Sequence, residues 1–140
     1  MATLQGAIAE LQEAIGNIPG LNDTPPDPTE AITAFPFSMA YPLAGELSGN
    51  RASTEDKSLH DVGVAIGVPL NDYRLANRDV LPLYETIAAK LITHLNGKTS
   101  IHYSTWGSLT YDYGPFEWPS GQIMYGYTFT IGQLKIINEV

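Results

Sequence analysis

The 140 residues include 15 acidic and 7 basic side chains and no cysteine, for a formal net charge of −8. A chain of this length fits one domain burying roughly two-thirds of its surface, and the missing cysteines exclude disulfides, thiolate metal sites and cysteine nucleophiles. Residues 1–50 contain no Lys or Arg and no basic stripe follows, which argues against gripping nucleic acid by its phosphates or docking on an acidic membrane. No apolar run approaches the roughly 18 residues of a membrane span, and residues 1–18 lack the basic start and small-residue cleavage site of a signal peptide.

The first element predicted is an amphipathic helix over residues 3–18. Leu4, Ala7, Ile8, Leu11, Ala14, Ile15 and Ile18 recur at spacings of three and four, and Pro19-Gly20 stops the run. Four prolines between Pro19 and Thr29 predict an extended loop. Phe35, Phe37, Met39 and Tyr41 then alternate as a strand with one buried face, and Pro36 and Pro42 place it at an edge or a bulge. Residues 44–58 are polar and aperiodic and are expected to form a long loop.

The second strand is predicted from His60, Val62, Val64, Ile66 and Val68, with Asp61, Gly63, Ala65 and Gly67 on its other face. The second helix is predicted over about 78–96. Val80, Leu83, Tyr84, Ile87, Leu91 and Leu95 form its apolar face, Asp79 and Pro82 lie in its first turn, and Asn96-Gly97 supplies a left-handed stop. Three strands follow: one at Ile101–Thr105, one at about 108–113, and a long one carrying Ile123, Tyr125, Tyr127, Phe129 and Ile131 on one face. Gly126 and Gly132 on its other face predict bulging or close approach by a second backbone. Helix, two strands, helix and three strands joined by hairpin-length links predict a single α+β domain over residues 1–140, a mainly antiparallel sheet packed on two helices. Leu11, Ile15, Val64, Ile66, Ile87, Leu91, Tyr127 and Phe129 are its expected shared core.

Chemistry is sparse. There is no phosphate-cradle motif and no Gly-x-Ser-x-Gly elbow, and His60, His94 and His102 form no HxH or HxxxH pair. The acid pairs Glu55-Asp56 and Asp112 with Glu117 read as a solvated loop and a turn. No enzyme activity, cofactor or metal site is therefore expected. Nine of the fourteen aromatic residues, by contrast, follow residue 100, and Tyr111, Tyr113, Phe116 and Trp118 crowd one hairpin. Such a cluster suits either an assembly contact or a platform for a sugar or peptide.

The element order, with Ala40-Tyr41-Pro42, the long polar loop, the strand from His60 to Pro69 and the Asp79-Val80-Leu81-Pro82-Leu83-Tyr84 junction, resembles the tail terminator proteins of tailed bacteriophages. The similarity spans nearly the whole chain and rests on the element order and the strand-Pro-helix junction. It implies a virion protein of the tail neck: a homohexameric ring that caps the tail tube, ends its polymerisation and meets the head-completion or stopper proteins. DNA would pass through without specific binding, and there would be no catalytic residue. On this reading Phe35, Phe37 and Tyr41, together with Tyr111, Tyr113, Phe116 and Trp118, are candidate interface residues, and Glu46, Arg51, Glu55, Asp56 and Lys57 a candidate assembly loop. The alternative is a small binding module using the aromatic hairpin 111–118 for a sugar or peptide ligand.

Overall fold

A computed structural model of the chain describes residues 4–16, 18–23, 35–48, 57–97, 102–118 and 121–136. Helix α1 spans Leu4–Gly16 and buries Ala7, Leu11 and Ile15. It has no acidic residue in its first turn and no basic residue in its last, so nothing offsets its dipole. Thirteen residues are marginal as an isolated helix, and α1 depends on the apolar face it packs on the sheet.

The sheet has six strands in the order β1-β2-β3-β6-β4, with β5 also paired to β6. They are β1 (Asn22–Asp23), β2 (Phe37–Ser48), β3 (Lys57–Pro69), β4 (Tyr103–Thr105), β5 (Ser108–Glu117) and β6 (Ile123–Ile136). Among the described residues only the two-residue pairing of β1 with β2 is parallel. The expected α+β architecture, with a mainly antiparallel sheet, is the observed one. Val62, Val64, Ile66 and Val68 of β3 and Tyr127, Phe129 and Ile131 of β6 pack with both long helices, and all eight expected core residues are buried there. Each such aliphatic side chain removed from water contributes about 1.5–3 kcal/mol.

The opposite face of β3 is built from Gly63, Ala65 and Gly67, and this absence of side-chain bulk invites aromatic cover. A Cβ on Gly63 would lie 2.6 Å from the Tyr41 ring, and one on Gly67 would lie 3.4 Å from the Phe116 ring. Phe37, Met39, Ala65, Trp118 and Met124 form a second small core on this face, flanked by Phe35, Tyr41 and Phe116.

Three sequence expectations need correction. The ladder of β2 with β3 continues through Ala44↔Asp61 to Ser48↔Lys57, so Ala44–Ser48 and Lys57–Ser58 are strand, not loop. Glu46 and Lys57 thus belong to the paired arms, while Arg51, Glu55 and Asp56 lie outside the described residues. The bulge expected near Pro42 is present, with the register shifting between Pro42 and Ala44 so that Leu43 is the extra residue.

The second correction concerns the second helix, whose helical backbone starts well before residue 78. A 3-10 turn (Leu70–Asp72), the helical turn α2 (Tyr73–Leu75), a π turn (Ala76–Val80) and a further 3-10 turn (Leu81–Leu83) lead into α3 (Tyr84–Asn96). Pro82 explains the irregularity: it offers no N–H, and its ring crowds the carbonyl four residues back. The wide turn, closed by the Leu81 N–H on the Ala76 carbonyl, accommodates it. Asp79 does not cap a helix but pairs side by side with Arg78 at 2.8 and 2.9 Å.

Third, Gly97 is right-handed at φ −69°. Its N–H bonds the His94 carbonyl, which also accepts the Tyr103 hydroxyl at 2.7 Å, and this tightened end needs no left-handed residue.

The edge of β2 is partly closed from within. The Ala40 N–H donates to Gln12 Oε1 at 2.7 Å, and Gln12 Nε2 donates to the Ser38 carbonyl at 3.1 Å. The α1 side chain thereby acts as a substitute peptide group for the strand around Phe35–Tyr41, part of which the sequence left with open edge groups. At the far end of β3, the Asp61 carboxylate accepts the Gln133 N–H where β6 bulges beside Gly132.

Candidate functional site

Strand parity decides where the aromatic residues go. On β5, Tyr111 pairs with Phe129 and Tyr113 with Tyr127, on the face that meets the helices. Phe116, opposite Met124, falls on the other face, and Trp118 follows it there. The seven aromatic interface candidates therefore do not form one surface. Phe35, Phe37, Tyr41, Phe116 and Trp118 belong to the small second core, whereas Tyr111 and Tyr113 lie across the sheet from it. Phe37 at 0% exposure and Trp118 at 3% are withdrawn as surface anchors, because the chain has already covered them.

What the sheet builds instead is a run of phenols along the β5 edge. Tyr84 contacts Tyr111 at 4.9 Å between ring centroids, Tyr113 lies 4.7 Å from Tyr127, and Tyr125 links Tyr113 at 5.4 Å to Tyr73 at 6.3 Å. The irregular helical segment supplies its polar anchors. The Tyr113 hydroxyl donates to Asn77 Oδ1 at 2.7 Å, and the Tyr127 hydroxyl donates to the Leu81 carbonyl at 3.0 Å. Burial, reinforced by neighbouring phenols, pushes the Tyr113 and Tyr127 phenols up, so they stay neutral. Tyr73, Tyr84 and Tyr111 remain 37–49% exposed, and Leu70, Leu75 and Leu81 of the same helical segment are also exposed. This surface can bury apolar area against a partner, and two of its phenols are tied to the helical segment by hydrogen bonds.

Of these residues the sequence reading singled out only Tyr111 and Tyr113. Tyr84 and Leu81 are expected on the apolar face of a regular helix, and only Tyr73 goes unremarked. The signal available was Pro82 combined with leucines at positions 70, 75 and 81, spaced too irregularly for one helical face.

A second convergence was half legible in the sequence, where His94 and His102 flank a turn and can approach each other but Glu10 is distant in the chain. Glu10 of α1 sits between His94 of α3 and His102, each imidazole Nε2 lying 3.7 Å from a different carboxylate oxygen. Glu10 Oε2 and His94 Nε2 are buried without a hydrogen-bond partner. Burial pushes His94 below its ordinary value of 6.5, against the opposing pull of Glu10 and Glu13. Burial, then the Glu10 charge, pushes the Tyr103 phenol up to about 12.

The His94 shift carries a pH signature. A histidine depressed in the folded state contributes stability above its unfolded value that is lost as the pH falls through the folded one. The melting temperature of the wild type is therefore expected to drop on acidification below about pH 6.5, and His94→Gln should flatten that part of the profile. Parallel wild-type and variant profiles would contradict this assignment.

Among the described residues, no group of three or more His, Asp or Glu side chains is placed to hold a metal ion, and no helix is long and apolar enough to cross a membrane. His60 lies on β3, paired with Gly45 of β2 and Leu134 of β6. No family model matches the chain, and no curated protein is similar to it in sequence.

Proposed function

We propose that this chain is a structural assembly protein of the phage tail terminator type: a homohexameric ring that caps the tail tube, ends tube polymerisation and presents a surface to the head-completion proteins. The observation that carries this reading is the exposed, neutral tyrosine and leucine surface at one edge of a sheet whose helices all lie on one face. An edge of that kind favours lateral association. The α+β element order agrees with what the sequence resemblance implies, and the acidic charge with a ring through which DNA moves without being held. The binding-module alternative loses its simplest support, since Tyr111 and Tyr113 lie on the opposite sheet face from Phe116 and Trp118 and offer no continuous hairpin platform.

In this role the chain performs no bond-making chemistry. Apolar surface and backbone edges bring copies together, while the like charges of neighbours oppose them over roughly 8–10 Å in ordinary salt. Electron microscopy of the purified protein tests the proposal. Rings with a central hole, more abundant as salt is raised, are the expected result; isolated compact particles under all conditions would contradict it.

A further inference from the structure

Resting on that ring reading, we propose that the tyrosine shelf at the β5 edge of one copy receives the bulged Leu43 on the β2 edge of a second copy of this chain. Three observations support this pairing. First, the two exposed apolar spots lie at opposite edges of one sheet, Leu43 beside β3 on one side and Tyr111 beside β6 on the other. A contact between opposite edges is heterologous, and repeating it closes a ring when the rotation permits.

Second, the bulge has a directional consequence. Leu43 is the residue left without a ladder partner, and it is 49% exposed. A bulge re-aims a side chain away from the regular pleat. The shelf offers Leu81, Tyr84 and Tyr111, at 44%, 37% and 49% exposure, as the matching apolar surface.

Third, the charge balance of the two segments permits contact between two copies of an acidic chain. The chain carries −8, yet residues 31–45 contain no charged side chain, and residues 70–84 carry Asp72 and Asp79 against Arg74 and Arg78, a formal zero. Glu85 and Asp112 adjoin the shelf in the chain and Asp61 pairs with Ala44 beside the bulge, so the two segments themselves, rather than their surroundings, are where copies of an acidic protein meet with least repulsion.

The test compares the full-length wild type with Leu43→Asp, Leu81→Asp and the exposed control Ile92→Asp by light scattering after gel filtration, with circular dichroism confirming that each folds. Either edge variant is expected to weaken self-association by at least about tenfold, and Ile92→Asp to leave it unchanged. An equimolar mixture of the two edge variants should form a dimer and nothing larger, because only one intact contact can form between them. Should Leu81→Asp fail to fold, Tyr111→Ser is the second shelf variant. If both edge variants keep the wild-type mass, this pairing is wrong and the ring reading stands. Loss with Leu81→Asp alone, without a dimer in the mixture, means that the shelf meets another surface and also overturns the pairing. A wild type that stays monomeric at every concentration and salt overturns the ring reading along with it.

Discussion

Replacing Gly126 by alanine is expected to cost about 3 kcal/mol or more, enough to consume much of the stability of a domain this size. Gly67, Gly126 and Gly114 stand directly opposite one another across β3, β6 and β5. A Cβ on Gly126 would run into the carbonyl oxygen of Ile66 and lie 2.7 Å from the Gly67 Cα. These are backbone atoms at the centre of the sheet, so no side chain can rotate to make room. Gly114 is the control, because its φ of 156° matches the 159° of Gly126, so backbone strain is common to both, while a Cβ there would meet nothing within 4 Å. Denaturant midpoints should fall far more for Gly126→Ala than for Gly114→Ala. Equal, small shifts would mean that the two strands do not approach this closely.

Trp118→Ala is expected to unfold the second small core, at about 3–5 kcal/mol. The indole is 3% exposed, its ring centroid 5.5 Å from Phe37, 5.4 Å from Tyr41 and 6.5 Å from Phe116. Its loss leaves a cavity over the glycine-rich face of β3, where no bulky neighbour of that strand can fill it. Tyr111→Ala, at 49% exposure, should cost far less in monomer stability and act mainly on self-association. Thermal melts and sedimentation of the two variants separate these effects. A Trp118→Ala protein that melts like the wild type but no longer assembles would return the indole to the surface.

Much of the fold was legible because its elements bury one face. Val62, Val64, Ile66 and Val68 alternate as a buried strand must, and Leu11, Ile15, Ile87 and Leu91 recur at helical spacing. Pro36 and Pro42 left an edge or a bulge open for their strand, and a bulge stands at Pro42. The misses have physical causes. The arms Ala44–Ser48 and Lys57–Ser58 are rich in small and polar residues, so they carry no period-two signal even though backbone bonds pair them. The helical segment from Leu70 to Leu83 changes from 3-10 to α to π geometry, and no single period describes residues that follow three different ones.

The candidate surface was half legible. Tyr111 and Tyr113 do share one sheet face, whereas Phe116 and Trp118, grouped with them by sequence distance, lie on the other. Odd and even positions of one strand face opposite sides, and that parity was available in the numbering itself. Tyr73 and Leu81 could not be connected to Tyr111 without the ladder and the π turn that bring their segments together. The meeting of Glu10 with His94 and His102 needs the packing of α1, α3 and the start of β4, which no local pattern encodes.

The most direct test of the ring account is the copy number and position of this chain in the assembled tail, measured by cryo-electron microscopy of virions that carry it. Six copies arranged as one ring at the head-proximal end of the tube are the predicted result. Any other number there, or the absence of the chain from that end, would contradict the account.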